Sequence, residues 1–168
     1  MGNENIKYNV LRIIRGTTVD GPGFRTAIYL AGCVHQCPEC HNPQSWNPHS
    51  GNEMTLEELM KIVEEEDFDV TLSGGDPLYN PESTAILVNA LKKQKRNVWV
   101  YTGFSWEEIL ADPKLINSIK EADVVVEGRF INNLKDPDLP FRGSSNQRIL
   151  DISQSLKSSE PIWYESKK

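Results

Sequence analysis

Long apolar runs, positive charge and cysteine are all scarce in this sequence. No apolar run approaches the roughly 20 residues that a membrane helix requires, and the mean hydropathy is −0.48. The opening segment, MGNENIKYNV, has no apolar region of the kind found in secretory signals. We therefore expect a cytoplasmic protein with no part embedded in a membrane.

Positive charge is outnumbered, with 18 lysines and arginines against 24 aspartates and glutamates, so the net charge is −6. The sequence also has no long basic block, which argues against nucleic acid as a partner, because nucleic-acid binding needs a positively charged surface. There are only three cysteines. An odd number in a reducing compartment argues against a framework of disulfides.

The length of 168 residues suits a single domain, residues 1–168, with its own hydrophobic core. Short apolar segments alternate with helix-like ones, which is typical of βαβ units and a parallel sheet. The predicted strands are 9–14, 25–32, 68–73, 97–103 and 122–130, and the predicted helices are 55–66, 83–94, 105–110 and one that begins at Asp112-Pro113. A complete (β/α)₈ barrel needs about 250 residues, so an incomplete barrel or an open parallel sheet is favoured. From about Asn132 we expect an irregular C-terminal segment.

Three segments follow predicted strands directly. The cysteine-containing loop follows residues 25–30, Gly74-Gly75 follows residues 70–73, and Tyr101 to Gly103 ends a third strand. The chemistry of such folds lies at the carboxyl ends of the strands, so parallel strands would bring all three segments to one rim. Glycine lets backbone N–H groups approach a carboxylate closely, which makes Gly74 and Gly75 candidate ligand contacts.

All three cysteines lie in the segment GCVHQCPECHN, as Cys33, Cys37 and Cys40. A structural zinc site has four ligands; His35 or His41 would complete one, but zinc on a single loop would fasten little of the fold. A redox-active CxxC fits Cys37 and Cys40 and leaves Cys33 unexplained. An iron–sulfur cluster on three thiolates keeps one iron open for a substrate. The spacing favours the cluster, with zinc and redox chemistry as alternatives.

The spacing Cx₃Cx₂C from Cys33 to Cys40 resembles the motif of the radical S-adenosylmethionine (SAM) superfamily. The segment SGGDPL, residues 73–78, is similar to that superfamily's Gly-Gly-Glu-Pro segment. VDGPGFR, residues 19–25, resembles the segment before the first core strand in enzymes that activate glycyl-radical proteins. Three later segments resemble the activating proteins of anaerobic (class III) ribonucleoside-triphosphate reductase: VYTGFSWEEI (100–109), VEGRF (126–130) and RGSSNQRI (142–149).

This resemblance implies the α/β class, with an incomplete (β/α) barrel of the radical SAM type and a mostly parallel sheet. It also implies one [4Fe–4S] cluster on Cys33, Cys37 and Cys40, whose open iron chelates the methionine part of SAM. The residues that it places near SAM are Glu39, Cys40, His41, Gly74, Gly75 and Asp76. Glu39 stands where the superfamily often has an aromatic residue, and Asp76 stands where it has Glu.

The implied reaction is the reductive cleavage of SAM to a 5′-deoxyadenosyl radical, which takes a hydrogen atom from a backbone glycine of the anaerobic reductase's large subunit. The cofactor carries the chemistry, so the resemblance implies no side chain as acid, base or nucleophile. A low-potential electron donor is the second implied partner, and Arg142 to Arg148 is expected to close the site or face a partner. Two alternatives remain: an activase of another glycyl-radical enzyme, and a non-catalytic zinc-binding interaction module.

Overall fold

The computed structural model describes residues 6–35 and 46–165, and a seven-stranded sheet runs through this part of the chain. The order of the strands is β3-β1-β2-β4-β5-β6-β7. Their bounds are β1 Lys7–Thr17, β2 Arg25–Leu30, β3 Asn52–Thr55, β4 Asp69–Gly74, β5 Val98–Tyr101, β6 Val124–Glu127 and β7 Arg148–Asp151.

The centre of the sheet is parallel. β2, β4, β5 and β6 pair side by side in the same direction. β1 runs antiparallel to both β2 and β3, and β7 runs antiparallel to β6, so only these two strands oppose the rest. The predicted α/β class with a mostly parallel sheet is therefore confirmed.

Helices connect the parallel strands and begin at the caps that the sequence indicates. Thr55 with Glu58 and Ser105 with Glu108 both form complete capping boxes, in which each side chain bonds the backbone N–H of the other residue. The α-helices are α1 Leu56–Glu66, α2 Pro81–Lys93, α3 Trp106–Ala111, α4 Pro113–Ile119 and α5 Ile152–Ser158. Among the described residues, no helix combines the length and the apolar character needed to cross a membrane.

The five α-helices of the described residues all pack on one face of the sheet. Alternate strand residues such as Ile28, Leu72 and Val100 form the main core with helical residues such as Leu59 and Leu91. The intervening strand residues point to the opposite face, because side chains alternate along a strand. That second face carries a smaller cluster around the buried Trp99, which the rings of Phe141 and Tyr164 contact edge-on. One face is thus covered by helices and the other by loops and the C-terminal segment.

The C-terminal part departs from the sequence interpretation from Arg148 onward. β7 and α5 lie within the segment predicted to be irregular from about Asn132. β7 has only two apolar residues, Ile149 and Leu150, between polar ends, so its burial is not visible as a run. The edge strand β3 was also not predicted, since its four residues, NEMT, include only one apolar side chain.

Candidate functional site

The carboxyl ends of β2, β4, β5 and β6 surround one cleft. This confirms that the three segments predicted to share a rim do so. None of the described lining residues is Asp, Glu, Lys or Arg. They are Cys33, His35, Trp46, Ser73, Gly74, Gly75, Tyr101, Thr102, Gly103, Gly128, Phe130 and Gln147.

Cys33 is the one predicted metal ligand within the described residues; Cys37 and Cys40 lie outside them, as do Glu39 and His41. Cys33 is partly buried, and its backbone N–H donates to the Trp46 carbonyl oxygen at 3.3 Å, which closes the base of the cysteine loop. Within residues 6–35 and 46–165, no three His, Cys, Asp or Glu side chains form a metal-binding group. A thiol in a lining without described charged residues fits an iron–sulfur cluster better than a hard cation, which prefers oxygen ligands.

Gly74 occupies a position that only glycine fits. Its φ is +114°, and a Cβ there would lie 2.3 Å from the Leu30 carbonyl oxygen. The next N–H groups are occupied: Gly75 donates to the Leu30 carbonyl at 2.8 Å, and Asp76 donates to the Gly32 carbonyl at 2.6 Å. The glycine turn is therefore bonded to the residues just before Cys33. The predicted backbone contact of Gly74 and Gly75 with SAM stays a prediction; because the Gly75 N–H donates to Leu30, we expect the Gly75 carbonyl oxygen to make it.

Asp76 is buried beneath the rim. Its Oδ2 accepts hydrogen bonds from three donors: His35 Nε2 at 2.8 Å, Thr102 Oγ1 at 2.9 Å and the Gly103 N–H at 2.9 Å. Its Oδ1 accepts from the Leu78 N–H at 2.8 Å. The predicted contact between Asp76 and SAM stays a prediction, but protein donors already bind both carboxylate oxygens. Sequence reasoning missed His35 as the partner of Asp76, because the two residues lie 41 positions apart.

The VDGPGFR segment lies on the helix-free face of the sheet, not at the rim. Tyr29 Oη donates to Asp20 Oδ2 at 2.6 Å, and Thr71 Oγ1 donates to the Asp20 carbonyl at 2.7 Å. Burial, followed by the hydrogen bond to Asp20, raises the pKa of Tyr29. Burial likewise raises the pKa of Tyr101, whose hydroxyl donates to the Phe141 carbonyl at 2.6 Å. Both phenols are therefore neutral donors at neutral pH.

Arg25 ends this segment and is almost fully buried. Its Nε donates to Thr71 Oγ1 at 2.9 Å, and Nη2 donates to the carbonyl oxygens of Val70 and Asn97 at 2.9 and 3.0 Å. Nη1 donates to the Pro22 carbonyl at 3.1 Å. Burial lowers the pKa of Arg25, and the many acceptors compensate for the lost hydration of its charge. Sequence reasoning assigned Arg25 no such role.

The segment from Arg142 to Arg148 folds back over the end of β6. The Gln147 side chain accepts from the Gly143 N–H at 2.9 Å and donates to the Gly128 carbonyl at 3.0 Å. These bonds place Gln147 in the cleft wall beside Phe130. Arg148 Nε donates to the buried carboxylate of Glu127 at 2.9 Å. The segment thus forms part of the cleft wall, while its expected contact with a partner stays a prediction.

Comparisons with known proteins bear on this site. The profile of a family described as a 4Fe-4S single cluster domain matches residues 19–150, which supports an iron–sulfur cluster among the predicted alternatives. A protein of Enterobacteria phage T4 is 34% identical over 149 residues, which cover 84% of this chain and 92% of the phage protein. A Salmonella typhi protein is 38% identical over 140 residues, and an Escherichia coli K12 protein is 34% identical over 141; each match covers 77% of this chain and 89% of the relative. All three relatives are named anaerobic ribonucleoside-triphosphate reductase-activating protein.

Proposed function

The chain belongs to the family of anaerobic ribonucleoside-triphosphate reductase-activating proteins, and we propose that it reductively cleaves SAM and generates a glycyl radical on that reductase. The observation that carries this proposal is the shared cleft of Cys33, Gly74 and Gly75. It brings the first thiol of Cx₃Cx₂C beside the glycine turn, as a site for a cluster with SAM requires. The same arrangement supports the proposed radical SAM oxidoreductase class.

In this proposal Cys33, Cys37 and Cys40 hold one [4Fe–4S] cluster, and one iron stays open for the methionine part of SAM. When bound, the cluster supplies the single electron that splits the sulfur–C5′ bond of SAM into methionine and a 5′-deoxyadenosyl radical. The chain's own part is to bind and orient SAM through Glu39, Cys40, His41 and the carbonyl oxygens at Gly74 and Gly75. Asp76 lies directly beneath this contact surface.

The placement of the helices supports the proposed incomplete (β/α) barrel. A doubly wound α/β sheet has helices on both faces, whereas here all five helices pack on one face. That arrangement is what part of a barrel wall has, since barrel helices form an outer ring. We propose that residues 1–168 are a single radical SAM domain whose helix-free face is the inner side.

The proposed protein partner is the large subunit of the anaerobic reductase, and a low-potential donor supplies the electron. The glycine of the reductase reaches the cleft at the carboxyl ends of the central strands, where the described lining has no Asp, Glu, Lys or Arg side chain. Hydrogen-atom transfer needs no proton acceptor from this chain. Selectivity comes from proximity, because a primary carbon radical attacks the nearest C–H bond. The chain is acidic and has no long basic block, which supports a protein rather than a nucleic acid as substrate.

The test is anaerobic. The chain is reconstituted with iron and sulfide, reduced, and mixed with SAM and the reductase, and methionine release and the electron paramagnetic resonance (EPR) spectrum are recorded. We expect SAM cleavage and a doublet that collapses when the reductase glycine carries deuterium at Cα. Stoichiometric zinc with no iron would contradict the proposal and favour a zinc-binding module. SAM cleavage without a radical on this reductase would instead indicate an activase of another glycyl-radical enzyme.

A further inference from the structure

A buried imidazole–carboxylate pair joins the cysteine loop to the sheet. His35 lies two residues after Cys33, and its Nε2 is 2.8 Å from Oδ2 of Asp76. The two side chains are 2% and 0% exposed. The role proposed for SAM contacts uses neither side chain, so the pair needs its own explanation.

The Asp76 carboxylate accepts hydrogen bonds from three separate segments of the chain. A buried carboxylate is costly unless donors surround it, and the donors to Asp76 come from separate parts of the chain. His35 belongs to the cysteine loop, Thr102 and Gly103 follow β5, and Leu78 belongs to the 3₁₀ helix Pro77–Tyr79. Losing any donor would move the segment that supplies it.

The imidazole ring lies in a slot shaped for it. Its edge meets the Phe104 ring, with centroids 4.5 Å apart and an interplanar angle of 78°. On another side, a Cβ at Gly103 would lie 2.5 Å from Cδ2 of the ring. Gly103 therefore has no side chain where His35 packs. Ring contacts, a glycine slot and a hydrogen bond together fix the position of His35, and Cys33 is only two residues away.

We infer that His35 and Asp76 are positioning residues that fasten the cysteine loop to the carboxyl ends of β4 and β5. The inference deepens the proposed function and rests on it. Asp76 acts through the loop and not by touching SAM. The pair holds Cys33 in the cleft that Gly74 and Gly75 line. A cluster on the loop then lies next to the methionine end of SAM.

The test compares His35→Leu, His35→Gln and the control His49→Leu. Gln keeps an N–H donor near the position of Nε2, whereas Leu keeps only apolar contacts. His49 is exposed and lies outside the cleft. Each reconstituted, reduced variant is titrated with SAM while the EPR spectrum of the cluster is followed. We expect about 10- to 100-fold weaker SAM binding in His35→Leu, as is typical when a partner that orients a metal ligand is lost. His35→Gln and His49→Leu should bind SAM nearly as the wild type does.

Two results would overturn the inference: wild-type SAM affinity in His35→Leu, or equally weak binding in His35→Gln and His35→Leu. If the variants do not fold, hydrogen exchange on the wild-type protein decides. The Gly103 and Leu78 amides, both donors to Asp76, should exchange as slowly as those of the central strands, and rapid exchange would refute the contact of these segments at Asp76. If SAM does not change the EPR spectrum of the wild-type protein, the proposed function is contradicted instead. The hydrogen-exchange rates of the Gly103 and Leu78 amides would still test the contact between His35 and Asp76.

Discussion

Cys33 is the residue at which the cluster proposal meets the described structure. It lines the cleft, and its N–H closes the base of the cysteine loop. We expect Cys33→Ala to lose most of the iron, because two thiolates from one loop do not retain a [4Fe–4S] cluster well. Iron and sulfide per chain are counted after anaerobic reconstitution. Val34→Ala changes the exposed neighbour of Cys33 and should keep its iron; equal iron in both variants would contradict the ligand assignment.

Gly74 offers a stability test at the same site. Gly74 and Gly23 both have positive φ, +114° and +75°, but only at Gly74 would a Cβ collide with backbone, whereas nothing lies within 4 Å of one at Gly23. Both changes to Ala carry conformational strain, and the strain is larger at Gly74 because +114° lies farther from the left-handed region that Ala can enter, so the difference adds this strain to the collision. We expect Gly74→Ala to lower the free energy of unfolding by about 1–3 kcal/mol more than Gly23→Ala. Urea unfolding measures both, and equal losses would show that β2 yields to the added methyl group.

Single residues of the site were predictable to different degrees. Gly74 and Gly75 follow an apolar strand, so their place at the rim follows from sequence order and parallel pairing alone. The contact between His35 and Asp76 spans 41 positions and depends on how two loops fold over strand ends. No periodicity or spacing rule reports such a contact, and the sequence therefore indicated Asp76 but not its partner.

At the start of α3, the glutamate that caps the helix also has a shifted pKa. The two guanidinium N–H groups of Arg129 donate to Glu108 at 2.8 and 3.0 Å, and Glu108 also caps the helix at Ser105. The hydrogen bonds from Arg129 make the largest contribution, followed by the bond from the Ser105 N–H, and together they lower the pKa of Glu108 to about 2. The folded pKa is below the unfolded value of about 4.3. The ionised carboxylate therefore stabilises the fold above that value, and its contribution is lost as the pH falls toward about 2.

Arg129→Lys should weaken this contribution, because an ammonium cannot make the paired hydrogen bonds of a guanidinium. We expect the variant to be less stable than the wild type near neutral pH, with the difference shrinking as the pH falls through the window between about 4 and 2. Urea unfolding across that range measures the difference. Arg15→Lys is the control, because it makes the same Arg-to-Lys change at the Arg15–Glu66 surface ion pair, away from Glu108. A difference that does not change with pH would contradict the assignment to Glu108.

Elements with local signals were predicted well, and elements that depend on neighbours were not. The capping boxes at Thr55 and Ser105 involve residues three apart, so the sequence contains the whole interaction. β7 is a strand because it pairs with β6 on one side and bridges to Trp163 on the other. Its short polar sequence has little strand character without those two partners.

For the whole molecule, the cysteine loop and the hydrophobic core are separate. The main core joins the strands and all five helices, and Cys33 is not part of it. We expect removal of iron to leave a folded protein, unlike a zinc module whose metal supplies the folding energy. Far-UV circular dichroism should match between the iron-free and reconstituted forms, with a cooperative thermal transition in each. An iron-free form without such a transition would show that the metal holds the fold together.

The overall architecture was predictable as a class but not in detail. Alternating strands and helices indicated a parallel sheet, and four central strands do pair in that way. That the helices lie on one face only was beyond the sequence, because an amphipathic helix specifies that it packs and not on which side of the sheet. The direction of β1, antiparallel beside β2, is set by the short turn between them.

The buried guanidinium of Arg25 has a consequence for the order in which the chain folds. Its acceptors come from its own turn, from β4 and from Asn97, which is 72 positions away. A hairpin of β1 and β2 alone would leave this charge in water, because β4 and Asn97, which supply most of its acceptors, would not yet cover it. Arg25 is therefore buried together with its acceptors only when β4 and the residue before β5 pack beside β2. The burial of Arg25 thus depends on contacts between residues far apart in the sequence, and contacts of that kind slow folding.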